Sequence, residues 1–281
     1  MGRRVKSQSH ASSQAEPPMA MKLRVRTPAV GRAPGAGPWR AWPTRVVEVP
    51  GGIRLAQGPV VLSELRLMPG PTHSVFDVLG ALIHRLAPSG HVAVLGFAAG
   101  GLVAPLHALG GPRRMEGVDL DPAGHALFCR WCPEWARDVD WFRADAARWL
   151  GSRRRRYTGL VEDLSEPRAG DVHKPAACRV RMPRLIRRRL ASGGVAVFNL
   201  VPDEDGSWPG LAEAGRLFGG LLEVRYDGYL NRTVVAGDAL PAPAVLGRWL
   251  QADLGRMGSR LAGRTWVARV VAGRRPSRGV R

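Results

Sequence analysis

The sequence predicts an α/β protein: a parallel, doubly wound sheet preceded by a small antiparallel β-sheet. Three observations carry that expectation. Val92–Leu95 is a continuous apolar run followed at once by Gly96, Gly100 and Gly101, as expected of a strand buried on both faces that ends in a tight turn facing a ligand. Strand-like and helix-like segments alternate from there to about residue 257. Ahead of them, Pro50-Gly51-Gly52 and Gln57-Gly58-Pro59 separate three short apolar runs, the pattern of antiparallel strands joined by turns. A chain of 281 residues can bury one large core with an appendage.

The elements follow in order. Residues 1–42 hold many Arg, Ser, Pro and Ala residues, a single acid (Glu16) and no hydrophobic period, so a basic tail without a packed core is expected, with an organelle leader as the alternative. Residues 43–88 form the small sheet and a linking helix. The strands are Arg45–Val49, Ile53–Ala56 and Val60–Leu65. The helix is Val75–Leu86, where Val75, Val78, Leu79, Leu82, Ile83 and Leu86 share one face and Pro88-Ser89-Gly90 ends the element.

Residues 89–273 form the main domain. Its first half reads as strand Val92–Leu95, helix Leu102–Leu109, strand Gly117–Leu120, a helix from Pro122 to about Cys132, and strand Val139–Arg143 leading into Ala144–Leu150. Its second half reads as strand Tyr157–Glu162, helix Arg179–Ala191 stopped by Ser192-Gly193-Gly194, strand Val195–Val201 and helix Ala212–Leu217. An antiparallel pair, Leu221–Tyr226 with Arg232–Ala236, and a late helix Ala244–Met257 complete it. Residues 274–281 are a second basic tail.

The formal charge is +19, from 42 basic and 23 acidic residues, and Arg supplies nearly all of it, since the lysines are Lys6, Lys22 and Lys174. Such a balance suits a nucleic-acid partner, and the runs Arg153–Arg156 and Arg187–Arg189 are the candidates for phosphate contact. The basic residues are spread along the chain instead of focused, and no aromatic platform accompanies them, which favours a compositional bias. Cys129, Cys132 and Cys178 are too few for a disulfide scaffold. Residues 86–112 carry no Asp, Glu, Lys or Arg, but Pro88, Pro105 and Pro112 break the stretch too early for a membrane span. No membrane partner is expected, and the expected location is cytoplasmic.

Acids stand at or just after three successive strand ends: Asp119, Asp145 and Asp163. In an open α/β sheet the ligand binds beyond the carboxyl ends of the strands, so these acids converge on one crevice. Asp119 lies about twenty residues beyond the glycines, the offset of a carboxylate that holds a ribose hydroxyl pair. Asp145, in an Ala-Asp-Ala setting, suits an adenine amino group, and Asp163 falls where the sulfur end of such a cofactor would lie. For each acid taken alone a helix cap or solvated loop is the competing role.

Four stretches carry a resemblance to a family. Val94-Leu-Gly-Phe-Ala-Ala-Gly-Gly101, Val118-Asp-Leu-Asp-Pro122, Arg143-Ala-Asp-Ala146 and Tyr157–Pro167 resemble, in order, the motifs of spermidine synthases and their methyltransferase-like relatives. The resemblance covers residues 45–240, and Cys129-Arg-Trp-Cys-Pro-Glu134 falls where the family's second helix ends before a Pro-Glu. It implies a Rossmann-like methyltransferase sheet that binds S-adenosylmethionine or decarboxylated S-adenosylmethionine. Gly96, Ala98 and Gly100 would form the first cofactor loop, Asp119 and Leu120 the ribose site, and Asp145 and Ala146 the adenine site. Asp163 would be the catalytic base, with Glu166 as a second carboxylate.

The departures from the family pattern matter as much. Aminopropyltransferases carry Gly-Gly-Asp-Gly-Gly in the first loop, and its Asp holds the amine of the decarboxylated donor; this chain has Ala99 there. A buried cationic amine without that partner loses on the order of 2–5 kcal/mol. The motif Asp-Ser-Ser-Asp-Pro appears as Asp163-Leu-Ser-Glu-Pro167, and Phe76-Asp77 is the nearest counterpart of the family's gate. The resemblance therefore implies methyl transfer to a small-molecule acceptor such as an amine, with aminopropyl transfer or a non-catalytic ligand-binding protein as alternatives. A second copy of the chain is a candidate partner. Cys129-x-x-Cys132 lacks a second Cys/His pair at ligand spacing, so packing is expected there, not metal or redox chemistry.

Overall fold

A computed structural model describes residues 44–57, 60–111, 114–168 and 171–270; both basic tails expected from the sequence lie outside these residues. The chain opens with β1 (Thr44–Val49), β2 (Gly52–Gln57) and β3 (Val60–Arg66), an antiparallel sheet in the order β1-β2-β3, and continues into α1 (Val75–Leu86). Then follow β4 (Val92–Leu95), α2 (Val103–Ala108), β5 (Met115–Asp119), α3 (Pro122–Trp131), α4 (Pro133–Ala136), β6 (Val139–Arg143), α5 (Ala146–Ser152) and β7 (Tyr157–Glu162). The second half holds β8 (Glu166–Arg168), β9 (Asp171–His173), α6 (Arg181–Arg189), β10 (Leu190–Leu200), α7 (Leu211–Leu217), β11 (Gly220–Tyr226), β12 (Arg232–Gly237), α8 (Pro243–Arg256) and β13 (Thr265–Arg269).

The main sheet runs β13-β11-β12-β10-β7-β4-β5-β6. The pairs from β10 to β6 are parallel, and β12, β11 and β13 close the sheet with antiparallel pairs. Burial on both faces explains the unbroken apolar runs: Val92, Val94 and Val161 join one core with α1, α2 and α8, while Ala93, Leu95 and Leu160 join the other with α5, α6 and α7. After β6 the chain returns to the opposite side of β4 to form β7, so the strand order reverses at β4 and a crevice opens beyond the strand ends there. Leu95 stands level with Val118 and with Glu162, which brings Gly96, Asp119 and Asp163 side by side.

Several elements differ from expectation. The helix begun by Pro122 ends at Cys132 as expected, but Pro133 then starts the separate short α4. The stretch between β7 and α6, which shows no period in the sequence, folds into the β8–β9 hairpin and a 3-10 turn at Ala176–Cys178. Strand β10 begins at Leu190, ahead of Ser192-Gly193-Gly194, with an irregularity between Leu190 and Val195. Strand β13 was not apparent in the sequence because an edge strand buries little apolar surface, and Trp266 on it is exposed. Among the described residues no helix is long and apolar enough to cross a membrane.

Candidate functional site

A cavity of about 620 Å³ opens beyond the carboxyl ends of β4, β5 and β7, and residues of β2 and β3 also line it. Its first wall is the turn after β4. Gly96 has φ +89°, and a Cβ there would stand 2.4 Å from the Asp163 carbonyl oxygen. Gly100 has φ +71°, and a Cβ there would stand 2.8 Å from the Phe97 ring. The protein's own packing therefore demands glycine at both positions. Gly96 still lines the cavity, but Gly100 lies behind Phe97 and is not part of its wall.

Asp119 holds this turn closed. Its Oδ2 accepts from the Ala98 amide at 2.8 Å and its Oδ1 from the Asp121 amide at 3.0 Å. Burial raises the Asp119 pKa above the ordinary carboxylate value, and these two amides oppose the rise. Ala98, at φ +46°, and Leu120, which is 52% exposed, line the cavity on either side of it. Asp145 caps α5, accepting from the Arg148 amide at 2.8 Å, and lines the cavity together with Ala146. Its capping bond and its place on the cavity wall therefore coexist.

Asp163 directly follows β7. Its Oδ1 accepts from Asn199 Nδ2 at 2.7 Å, and Asn199 Oδ1 accepts in turn from Asn231 Nδ2 at 3.2 Å. Protein surrounds the carboxyl on all sides but the cavity, and this burial pushes its pKa up to about 7, with Lys174 and Asn199 opposing the rise. Behind it, Lys174 Nζ donates to Glu162 Oε1 and to the Leu164 carbonyl, both at 2.8 Å, with each side chain of the pair only 1% exposed. The Leu164 amide and the Cys178 thiol also point at Glu162 Oε1. Burial alone would lower the Lys174 pKa, but Glu162 and its neighbours hold the ammonium above its ordinary value. Glu166 is exposed on the cavity wall at the start of β8.

The wall as a whole carries Glu64, Asp119, Asp121, Asp145, Asp163 and Glu166 against Arg54 and Lys174. An acid-rich crevice in a chain of net charge +19 concentrates a cationic ligand where the rest of the protein repels it.

No family model matches the chain, and no curated protein does. Solved structures do. A probable spermidine synthase from Corynebacterium glutamicum superposes with a TM-score of 0.66 at 18% identity, over 86% of this chain and 91% of that one. The fold is that of the spermidine synthases and their methyltransferase relatives. A spermidine synthase in complex with the transition-state analogue AdoDATO gives a TM-score of 0.56 at 12% identity, over 78% of this chain and 76% of the other. Human methyltransferase-like protein 13 in complex with SAH gives 0.51 at 21% identity, over 66% of this chain and 92% of that protein.

Within this fold the structure brings Gly96, Ala98, Asp119, Leu120, Asp145, Ala146, Asp163 and Glu166 to one cavity, and leaves Gly100 out. Ala99 is buried in the core and faces away from the cavity wall, so the loop offers neither a carboxylate nor a contact surface at that position. Of the gate counterpart, Phe76 lines the cavity, but Asp77 is fully buried and bonded to Thr72, His73 and Ser259. Cys129 approaches His125 Nε2 at 3.3 Å while Cys132 faces the Arg66 carbonyl, so the two thiols serve different neighbours. Sequence reading missed Lys174, Asn199 and Asn231. The one available signal was that Lys174 is the sole lysine after residue 22.

Proposed function

We propose that the protein is a transferase that binds S-adenosylmethionine and passes its methyl group to a small-molecule acceptor. The observation that carries this reading is the convergence of Asp119, Asp145 and Asp163, from three strand ends, on one acid-rich cavity at the strand-order reversal. The volume suits a cofactor with an acceptor beside it. Asp119 would hold the ribose hydroxyls, with Leu120 against the sugar and adenine. Asp145 and Ala146 would meet the adenine edge, and the Gly96–Ala98 turn would face the methionyl chain.

S-adenosylmethionine supplies a carbon activated by its bond to sulfonium, so displacement by an acceptor lone pair leaves a neutral thioether. The protein's part is to orient the acceptor and take its proton. Asp163 fits that part: Asn199 fixes one oxygen, and burial brings its pKa to about 7, where a carboxylate is a stronger base than in water. Ala99, lacking a carboxylate and turned from the cavity, favours the full donor over its decarboxylated form.

Calorimetry with S-adenosylmethionine, its decarboxylated form and methylthioadenosine tests this reading on the wild type and on Asp119→Ala. S-adenosylmethionine should bind, and Asp119→Ala should weaken it about tenfold or more. If none of the three binds, the reading fails. If only the decarboxylated donor binds, aminopropyl transfer replaces methyl transfer.

A further inference from the structure

We propose that the half of the cavity away from Asp119 is the seat of an apolar monoamine, and that it excludes diamines. This rests on the adenosyl reading of the other half. Two independent observations carry it. First, two large apolar side chains that proteins ordinarily bury line this cavity while standing exposed, from separate segments: Val61 on β3 at 44% and Leu230 before β12 at 82%. The Tyr229 hydroxyl, next to Leu230, donates to the His73 carbonyl at 2.9 Å and ties this segment to the start of α1.

The second observation is where the charges stand. The reacting end has Asp163 and Glu166, suited to an ammonium or amine. The acid on β3 that lines the cavity, Glu64, is already taken by Arg54, with Nε to Oε1 at 2.7 Å. The far end of a diamine would therefore meet a guanidinium and two apolar side chains, Val61 and Leu230. An amine with a hydrocarbon or aromatic body instead covers Val61 and Leu230 and leaves its single charge at Asp163. Desolvating a second ammonium where the nearest acid is already paired with Arg54 discriminates against the diamine more strongly than apolar contact favours the monoamine.

Calorimetry with S-adenosylhomocysteine present, using phenethylamine and putrescine as probes, tests the proposal. Phenethylamine should bind about tenfold or more tightly than putrescine. Leu230→Glu, an exposed change that leaves the core intact, should weaken phenethylamine and strengthen putrescine by supplying the missing acid. Putrescine binding equal to or tighter than phenethylamine overturns the proposal, as does a Leu230→Glu variant that changes neither. S-adenosylhomocysteine is titrated first and alone. If it binds and the amine preference is absent, only the acceptor assignment falls. If it does not bind, the adenosyl reading falls, and the amine titration alone still decides the wall.

Discussion

Strand β7 carries a buried polar cluster at each end, and the two are built differently. At its start, the Tyr157 hydroxyl donates to Glu116 Oε2 at 2.6 Å while Arg155 Nη1 donates to Oε1 at 2.6 Å, so both carboxylate oxygens are engaged. At its far end three donors, Lys174, the Leu164 amide and Cys178, converge on Oε1 of Glu162. The next residue is served by fewer. Asp163 has one oxygen on Asn199, and its other side faces the cavity. A buried carboxylate with all partners in place stabilises a fold, whereas one held partly unsatisfied beside a cavity is poised for a ligand or a proton.

The largest effect is expected from breaking the sealed part of the far cluster. Lys174→Met leaves Glu162 buried without its cation and should cost about 3–5 kcal/mol in urea unfolding. Adding Glu162→Leu should return most of that loss, because the apolar pair removes the uncompensated charge. A loss below about 1 kcal/mol for the single variant would mean that the pair does not brace the site. At the opposite end, Tyr157→Phe removes one of two donors to Glu116 and should cost about 1–3 kcal/mol, with Arg155 still in place.

Asp163→Asn should move stability the other way. Its folded pKa, about 7, exceeds the value of about 3.9 in an unfolded chain, so protonation favours the folded state. The wild type accordingly loses stability as pH rises from about 4 to about 7, and levels off above. An Asn keeps the acceptor for Asn199 and carries no charge. The variant should therefore match the wild type near pH 4 and exceed it by about 1–3 kcal/mol at pH 8 in thermal unfolding. Methyl transfer by the variant should fall about 10²–10⁴-fold, and wild-type activity should rise through pH 7. A variant equally stable at every pH would remove the contrast between the two ends of β7.

The sealed and open clusters were unequally legible in the sequence. Val75–Leu86 and Val92–Leu95 follow from the 3.6-residue and unbroken apolar patterns alone, because packing on one face or on both writes itself into local residue order. Asp119 and Asp163 were legible because each directly follows or ends such a run. Lys174 was not: a lysine among His173, Pro175 and Ala176 reads as a solvated loop, and only its meeting with Glu162 permits burial. Leu230 was hidden for the converse reason, since exposure of an apolar residue is a property of the assembled surface. The glycines were legible as a turn but for another cause, because the Asp163 carbonyl that forbids a Cβ at Gly96 comes from a distant strand.

The smallest effect separates two roles of a single carboxylate that belongs to neither end of β7. Asp145 caps α5 through the Arg148 amide and also faces the cavity. Asp145→Ala removes both contributions and should cost about 1 kcal/mol of stability. Asp145→Ser keeps a hydroxyl that can accept from the same amide, so stability should stay within about 0.5 kcal/mol of the wild type. If the carboxylate also meets the adenine edge, Ser should weaken S-adenosylmethionine about as much as Ala does, several-fold in either case. A Ser variant as stable as the wild type but weaker in affinity assigns Asp145 to the ligand as well as to the helix. Affinity that is unchanged in Ser and reduced only in Ala would make it a cap whose loss disturbs the neighbouring Ala146.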